Sequence, residues 1–163
     1  MKIKYLERVT DQNQLNDLMG LLTLCDQEFI PPLSARNSTI QSNLEPGAEK
    51  SEKPVAYFEN IRHQPAFLAL DDGHVVGFMS LKKNYVCEEI PPSLSPNVYI
   101  TTVIVHPFYR HHGITGSFYQ HLFKRFGCVN LFTRTWSTNL SHIRILSSLK
   151  FYEHCRKEDD RGP

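Results

Sequence analysis

From Asn97 to Phe126 the chain reads NVYITTVIVHPFYRHHGITGSFYQHLFKRF. Val98 to Val105 is rich in β-branched residues, which fit a pleated surface. Its nearly continuous apolar character predicts a strand covered on both faces. Pro107 has no N–H to give a ladder and ends that strand. Beyond Gly113, Ile114, Phe118, Leu122 and Phe126 recur every four residues, and Tyr119 and Phe123 widen the stripe. That spacing predicts an amphipathic helix. Between strand and helix lies Arg110-His111-His112-Gly113-Ile114-Thr115-Gly116, a turn with two glycines at a helix start.

Such a turn has a chemical use. The first helical turn leaves backbone N–H groups unpaired, and the macrodipole places about half a positive charge there. Gly113 and Gly116 let a bulky anion come close to the main chain, which suits phosphate or pyrophosphate. No Gly-Lys-Ser/Thr follows at Walker spacing, and no G-x-G-x-x-G fingerprint is present. The alternative is a plain strand-to-helix connection helped by a glycine.

Composition narrows the rest. The 163 residues suit a single domain, 1–163, and the 40% hydrophobic, 21% charged composition is that of a globular protein. The net charge of +1 and the absence of a Lys/Arg run speak against nucleic acid. No apolar run reaches membrane-spanning length and the N-terminus lacks an apolar signal region, so a cytoplasmic location is expected. Cys25, Cys87, Cys128 and Cys155 form no C-x-x-C pair, and the adjacent His111 and His112 diverge without a third ligand, so no metal is expected.

Along the chain, residues 2–9 read as a strand, and Asp11 with Gln14 as a helix start. The following helix carries Leu15, Leu18, Met19, Leu22, Cys25 and Phe29 on one face, with Pro31-Pro32 as its stop. Leu33 to Pro54 is polar, either a functional loop or partly helical. A short helix over Val55 to Ile61 turns Val55, Phe58 and Ile61 inward. Ala66–Leu70 and Val75–Lys82 flank Asp71-Asp72-Gly73-His74 as a hairpin. Val129 to Trp136 reads as a strand. Thr138 or Asn139 caps a last helix facing Leu140, Ile143, Leu146 and Leu149 inward, and Phe151 to Arg156 is expected as a last strand. The order β-α-α-β-β-β-α-β-α-β predicts an α/β protein, a mixed sheet with helices on both faces.

Val105-His106-Pro107-Phe108-Tyr109-Arg110-His111-His112-Gly113-Ile114-Thr115 resembles the V-x-P-x-Y-R-x-x-G-x-G/A signature of the GNAT superfamily of acyl-CoA-dependent N-acyltransferases. Thr115 departs from it, standing where the family prefers Gly or Ala. The resemblance implies a sheet whose two central parallel strands splay apart to admit the pantetheine arm of acetyl-CoA. It also implies a closing strand, which is missing or truncated in a chain ending at Asp160-Arg161-Gly162-Pro163. A partner covering that edge, such as a second copy in a homodimer, is one alternative.

The resemblance also implies roles. The amides of Arg110, His111, His112, Gly113, Ile114, Thr115 and Gly116 would hold the pyrophosphate, with Arg110 acting by backbone rather than side chain. Val105 would pair with pantetheine, and the N–H of Val103 would lie near the thioester oxygen. Asn139 and His142 would reach the cofactor from the last helix. Many members carry a catalytic Glu where this chain has Thr101, which can order a water but cannot act as a base. Tyr99, His106, Glu88 and Glu89 are the nearby alternatives. The family's acid Tyr falls at Leu146 and its glycine at Lys150, with Ser147 and Tyr152 close by but off position. Phe29, Arg36, Tyr57, Phe58, Tyr99 and Trp136 are expected to line the acceptor pocket. The expected reaction is direct acetyl transfer from acetyl-CoA to a primary amine of a small molecule, peptide or protein. A CoA-binding sensor of the same fold, or an interaction domain that has lost the cofactor, are the other readings.

Overall fold

The computed structural model describes residues 1–36 and 53–157. Most of the polar stretch between Leu33 and Pro54, and the tail beyond Lys157, lie outside the described residues. The described elements are β1 (Lys2–Leu6), α1 (Gln12–Leu24), α2 (Val55–Ile61), β2 (Ala66–Asp71), β3 (His74–Lys83), β4 (Asn97–Val105), α3 (Ile114–Phe126), β5 (Asn130–Thr133) and α4 (Leu140–Ser148). The five strands lie in the order β1-β2-β3-β4-β5. β1 to β4 pair antiparallel, and β4 pairs parallel with β5. This is the expected mixed α/β sheet.

Local chemistry explains most boundaries. The Asp11 carboxylate accepts from the Gln14 amide at 2.9 Å and starts α1. Asp72 and Gly73, at φ +49° and +79°, form the tight turn between β2 and β3. α1 ends at Leu24, well before Pro31: Cys25 caps it by donating to the Leu21 carbonyl, and a 3-10 turn over Asp26–Glu28 follows.

The sheet carries a layer on each face. Leu15, Leu18, Leu21 and Leu22 of α1 and Tyr57 and Ile61 of α2 cover Leu68, Phe78 and Ile104. Ile114, Phe118, Tyr119 and Leu122 of α3 cover Phe67, Met79, Leu81, Val98, Ile100 and Val105. Two expectations shift by part of a turn. Val55 is exposed and Tyr57 takes the inward place, while in α4 Leu140 is exposed and Ile145, Leu146 and Leu149 pack inward.

The expected strand over Phe151–Arg156 is not formed. Lys150 adopts φ +66°, the left-handed conformation that usually falls to glycine after a helix. The Phe151 amide then turns back to the Leu146 carbonyl at 2.9 Å. Its ring packs on Tyr119 and Phe123, and His154 contacts the Phe132 ring. Side chains, not a ladder, hold this segment beside the sheet.

β4 carries a bulge. Ser80 faces Thr102 and Leu81 faces Ile100, so Thr101 is an extra residue outside the β3–β4 register. Val98 and Ile100 face α3; past the bulge Val103 and Val105 do so instead, while Thr102 and Ile104 turn to the other layer.

Candidate active site

The parallel ladder between β4 and β5 runs from Asn97–Asn130 to Ile100–Thr133 and stops. β5 was expected to reach Trp136, but beyond Thr133 it leaves β4. The His106 amide donates to Val76 of β3 at 2.8 Å. Successive residues point their amides to alternate sides of a strand. Ile104 therefore also faces β3, and the amides of Val103 and Val105 face the opening left by β5. This opening is the splay expected of the two central parallel strands.

Two cavities occupy it. One is a groove of about 360 Å³ at the end of β4, lined by Val103, Val105, Arg110, Thr115, Asn139 and His142 together with Cys25, Glu28, Ser141 and Ile145. The smaller lies deeper along β4, lined by Thr101, Val103, Thr133, Arg134 and Thr135, with Arg36 at its wall. Four residues line both: Phe29, Val103, Trp136 and His142. Phe29 and Trp136 meet edge to face, ring centres 6.0 Å apart.

The groove opens beside the turn before α3. His111 at φ +66° and Gly113 at φ +78° bend the chain so that successive amides face outward. The amides of Ile114, Thr115 and Gly116 have no partner within α3, whose geometry leaves its first turn unpaired. Among the described residues, no main-chain carbonyl accepts from His111, His112 or Gly113. A Cβ built on Gly116 would meet no protein atom, so its absence clears space outside the protein. This fits a diphosphate. Tyr109 donates to Asp71 at 2.8 Å and ties the turn to the β2–β3 hairpin.

The Arg110 side chain does more than a surface cation would. Its Nε donates to the Val105 carbonyl at 3.0 Å, and its other two nitrogens hold Glu28 at 2.6 and 2.8 Å. The guanidinium keeps the Glu28 carboxyl below its ordinary pKa. Cys25 lies under this pair, and burial pushes its thiol up to about 12, so it is protonated at neutral pH. Sequence reading places Cys25 only on the core face of the first helix and gives Glu28 no role; the end of α1 and the turn after it bring them to Arg110, 85 and 82 residues away in sequence.

Other expected residues scatter. The Thr101 hydroxyl donates to Gln64 at 2.7 Å and meets Ser80 at 2.8 Å, so it is engaged on the α2 side. Tyr57 is fully buried with its hydroxyl 2.6 Å from Thr102. Phe58 faces Arg62, and Tyr99 packs on Tyr85. None of these three lines either cavity. His106 lies beyond the groove, its Nδ1 accepting from the Phe108 amide at 3.1 Å. Glu88 is exposed. Glu89 pairs with Lys157, which lowers its carboxyl to about 2. Arg36 is buried, donating to the Pro31 and Ile30 carbonyls. Asn139 lines the groove, its amide bonded to Thr135 while its oxygen caps the His142 amide at 3.5 Å.

On the groove side of α4, His142 Nε2 lies 2.8 Å from the Tyr119 hydroxyl. Burial lowers the His142 pKa, and it raises that of Tyr119 against a hydrogen bond with Thr133. Among the described residues no group of three or more His, Cys, Asp or Glu could hold a metal, and no helix is long and apolar enough to cross a membrane.

A slot between diverging parallel strands, entered beside an amide-lined turn, defines the acyl-CoA-dependent transferase class. The chain belongs to the acetyltransferase (GNAT) family, whose model matches residues 35–155, and it is an acyltransferase of that family. Its fold is similar to that of AAC(6')-Iy in complex with the bisubstrate analogue CoA-S-monomethyl-acetylneamine (TM-score 0.60, 21% identity, 96% of this chain and 95% of that one). It is also similar to the aminoglycoside 6'-N-acetyltransferase AAC(6')-Ih of Acinetobacter baumannii (TM-score 0.59, 17% identity, 96% and 95% covered). A third similar structure is a possible acetyltransferase of Clostridium difficile 630 (TM-score 0.62, 14% identity, 96% and 93% covered). No curated protein matches the chain.

Proposed function

We propose that the protein transfers the acetyl group of acetyl-CoA directly to a primary amine of a small molecule or peptide. The observation that carries this reading is the end of the β4–β5 ladder at Ile100–Thr133, which leaves the Val103 and Val105 amides facing an open groove. In this reading the turn amides from His111 to Gly116 hold the diphosphate, the Arg110 amide being bonded to the Pro107 carbonyl at 3.4 Å, and Val105 aligns the pantetheine arm. The Val103 N–H donates to the thioester oxygen, a contribution of about 10²–10³ in rate for such a donor. Cys25 is the one cysteine lining the groove, and its thiol is protonated at neutral pH. A thiol is a poor nucleophile beside a thiolate, which favours direct transfer over an acyl-enzyme.

The acceptor side bears on the substrate. Phe29 and Trp136 supply an aromatic wall for the body of the amine.

The test has two stages. Acetyl-CoA is expected to raise the melting temperature, and the absence of a shift at saturating cofactor would sink the reading. Loss of thioester absorbance is then followed with neutral monoamines, amino acids and aminoglycosides. Binding of acetyl-CoA without thioester loss for any of the three classes would overturn the transfer reading.

A further inference from the structure

Transfer to an amine needs a group that takes a proton from the attacking nitrogen and a group that supplies one to the departing sulfur. The positions that carry these in many family members hold Thr101 and Leu146 here. Thr101 is bonded to Gln64 and Ser80, and Leu146 has no proton to give. His106 lies outside the cavities, Glu89 is held by Lys157, and Glu28 is held by Arg110.

Of the four residues shared by the cofactor groove and the acceptor cavity, Phe29, Val103, Trp136 and His142, only His142 can exchange a proton. It stands where the two substrates must meet. Its Nε2 faces the buried Tyr119 hydroxyl at 2.8 Å, and Asn139 caps its backbone amide, so ring and main chain are both fixed. Among the described residues Nδ1 has no protein partner.

We infer that His142 is the proton-transfer residue of this enzyme, with Tyr119 as its positioning residue. The inference rests on the N-acetyltransferase reading above. Nε2–H donates to the Tyr119 oxygen, which leaves the Nδ1 lone pair for the substrates. The amine binds as its free base, having released its ammonium proton to water. As its nitrogen bonds to the thioester carbon, it gives one N–H proton to Nδ1. As the C–S bond breaks, the imidazolium returns that proton to sulfur. Amine and acetyl-CoA become amide and CoA thiol, and the imidazole ends neutral. Burial favours the neutral imidazole at physiological pH, the form this step requires. The charged and titratable groups around it are Tyr119 from α3, Arg36 and Arg134 on the acceptor side, and Cys25 and the Arg110–Glu28 pair on the cofactor side.

The experiment uses the full chain, acetyl-CoA and the best amine of the panel above. His142→Gln is expected to lower kcat by about 10²–10⁴, the range for loss of a general acid–base group, with the CoA dissociation constant within about threefold. The acidic limb of the kcat/KM profile, with an apparent pKa below 6.5, should vanish in that variant. Tyr119→Phe should lower kcat less and move that limb. In ¹⁵N imidazole spectra of the wild type, His142 should be the Nε2–H tautomer and respond to acetyl-CoA. Unchanged kcat in His142→Gln, or a loss that only follows weakened CoA binding, would overturn the assignment. So would an Nδ1–H tautomer. If CoA binds but no amine is acetylated, the function reading itself fails and this inference falls with it, a result distinct from a wild type that works and a variant that works equally.

Discussion

The two edges of β4 behave differently. On the β3 side seven residue pairs, from Lys83–Val98 to Gly77–Val105, seal the strand over nearly its whole length. On the β5 side four pairs form and the strands part. One strand thus serves as scaffold along one edge and lines the candidate site along the other. The difference teaches that the candidate site on this strand comes from withheld main-chain partners: what faces the groove from Val103 and Val105 is amide.

Substitutions on the two sides should therefore fail in different ways. The largest effect is expected at the groove mouth. Gly113→Val forces a β-branched residue into φ +78° where a Cβ meets no protein atom. The turn should distort rather than the core. We expect CoA affinity to fall by about 10–100-fold, taking strain of 1–3 kcal/mol as the measure, with a small change in melting temperature. Calorimetric titration beside thermal denaturation tests this, and a large melting loss with intact affinity would break the distinction. On the sealed edge, Gly77→Val brings a Cβ to 3.0 Å from the Ile104 carbonyl. Overpacking of that kind costs about 1–3 kcal/mol. Urea denaturation should register it, while the folded fraction binds CoA as before. The smallest effect is expected far from either edge, at Glu89. Its carboxyl titrates at about 2 in the fold against 4.5 ordinarily, held down chiefly by Lys157. A carboxyl lowered by folding stabilises above its unfolded pKa and stops doing so as pH falls through the folded one. Glu89→Gln should thus cost less than 1 kcal/mol at pH 7, as exposed pairs do. The deficit should shrink from about pH 4.5 downward and be gone near pH 2.

The strand–turn–helix unit was legible because its signals are local: β-branched residues, Pro107, Gly113 and a four-residue apolar repeat. The Asp72-Gly73 hairpin and the Asp11 cap were legible for the same reason. Residues whose role depends on distant partners were not. Thr101 has no glycine or other marker of a bulge, which arises from its register against Ser80 and Leu81. Cys25 and Glu28 reach the groove only because α1 ends over β4. Phe151 to Arg156 has strand-like composition, but its first amide closes α4. Tyr57, expected at the acceptor, is instead held beneath it by Thr102.

The extra residue in β4 has a consequence for how the strand tolerates change. A regular strand would demand bulky apolar side chains toward α3 at every second position. Here those positions are Val98, Ile100, Val103 and Val105, with intervals of two, three and two. A saturation scan of the strand should show intolerance to polar substitution in that syncopated rhythm, and deleting Thr101 should close the interval of three to two, leaving Val103 and Val105 toward α3 in a regular strand.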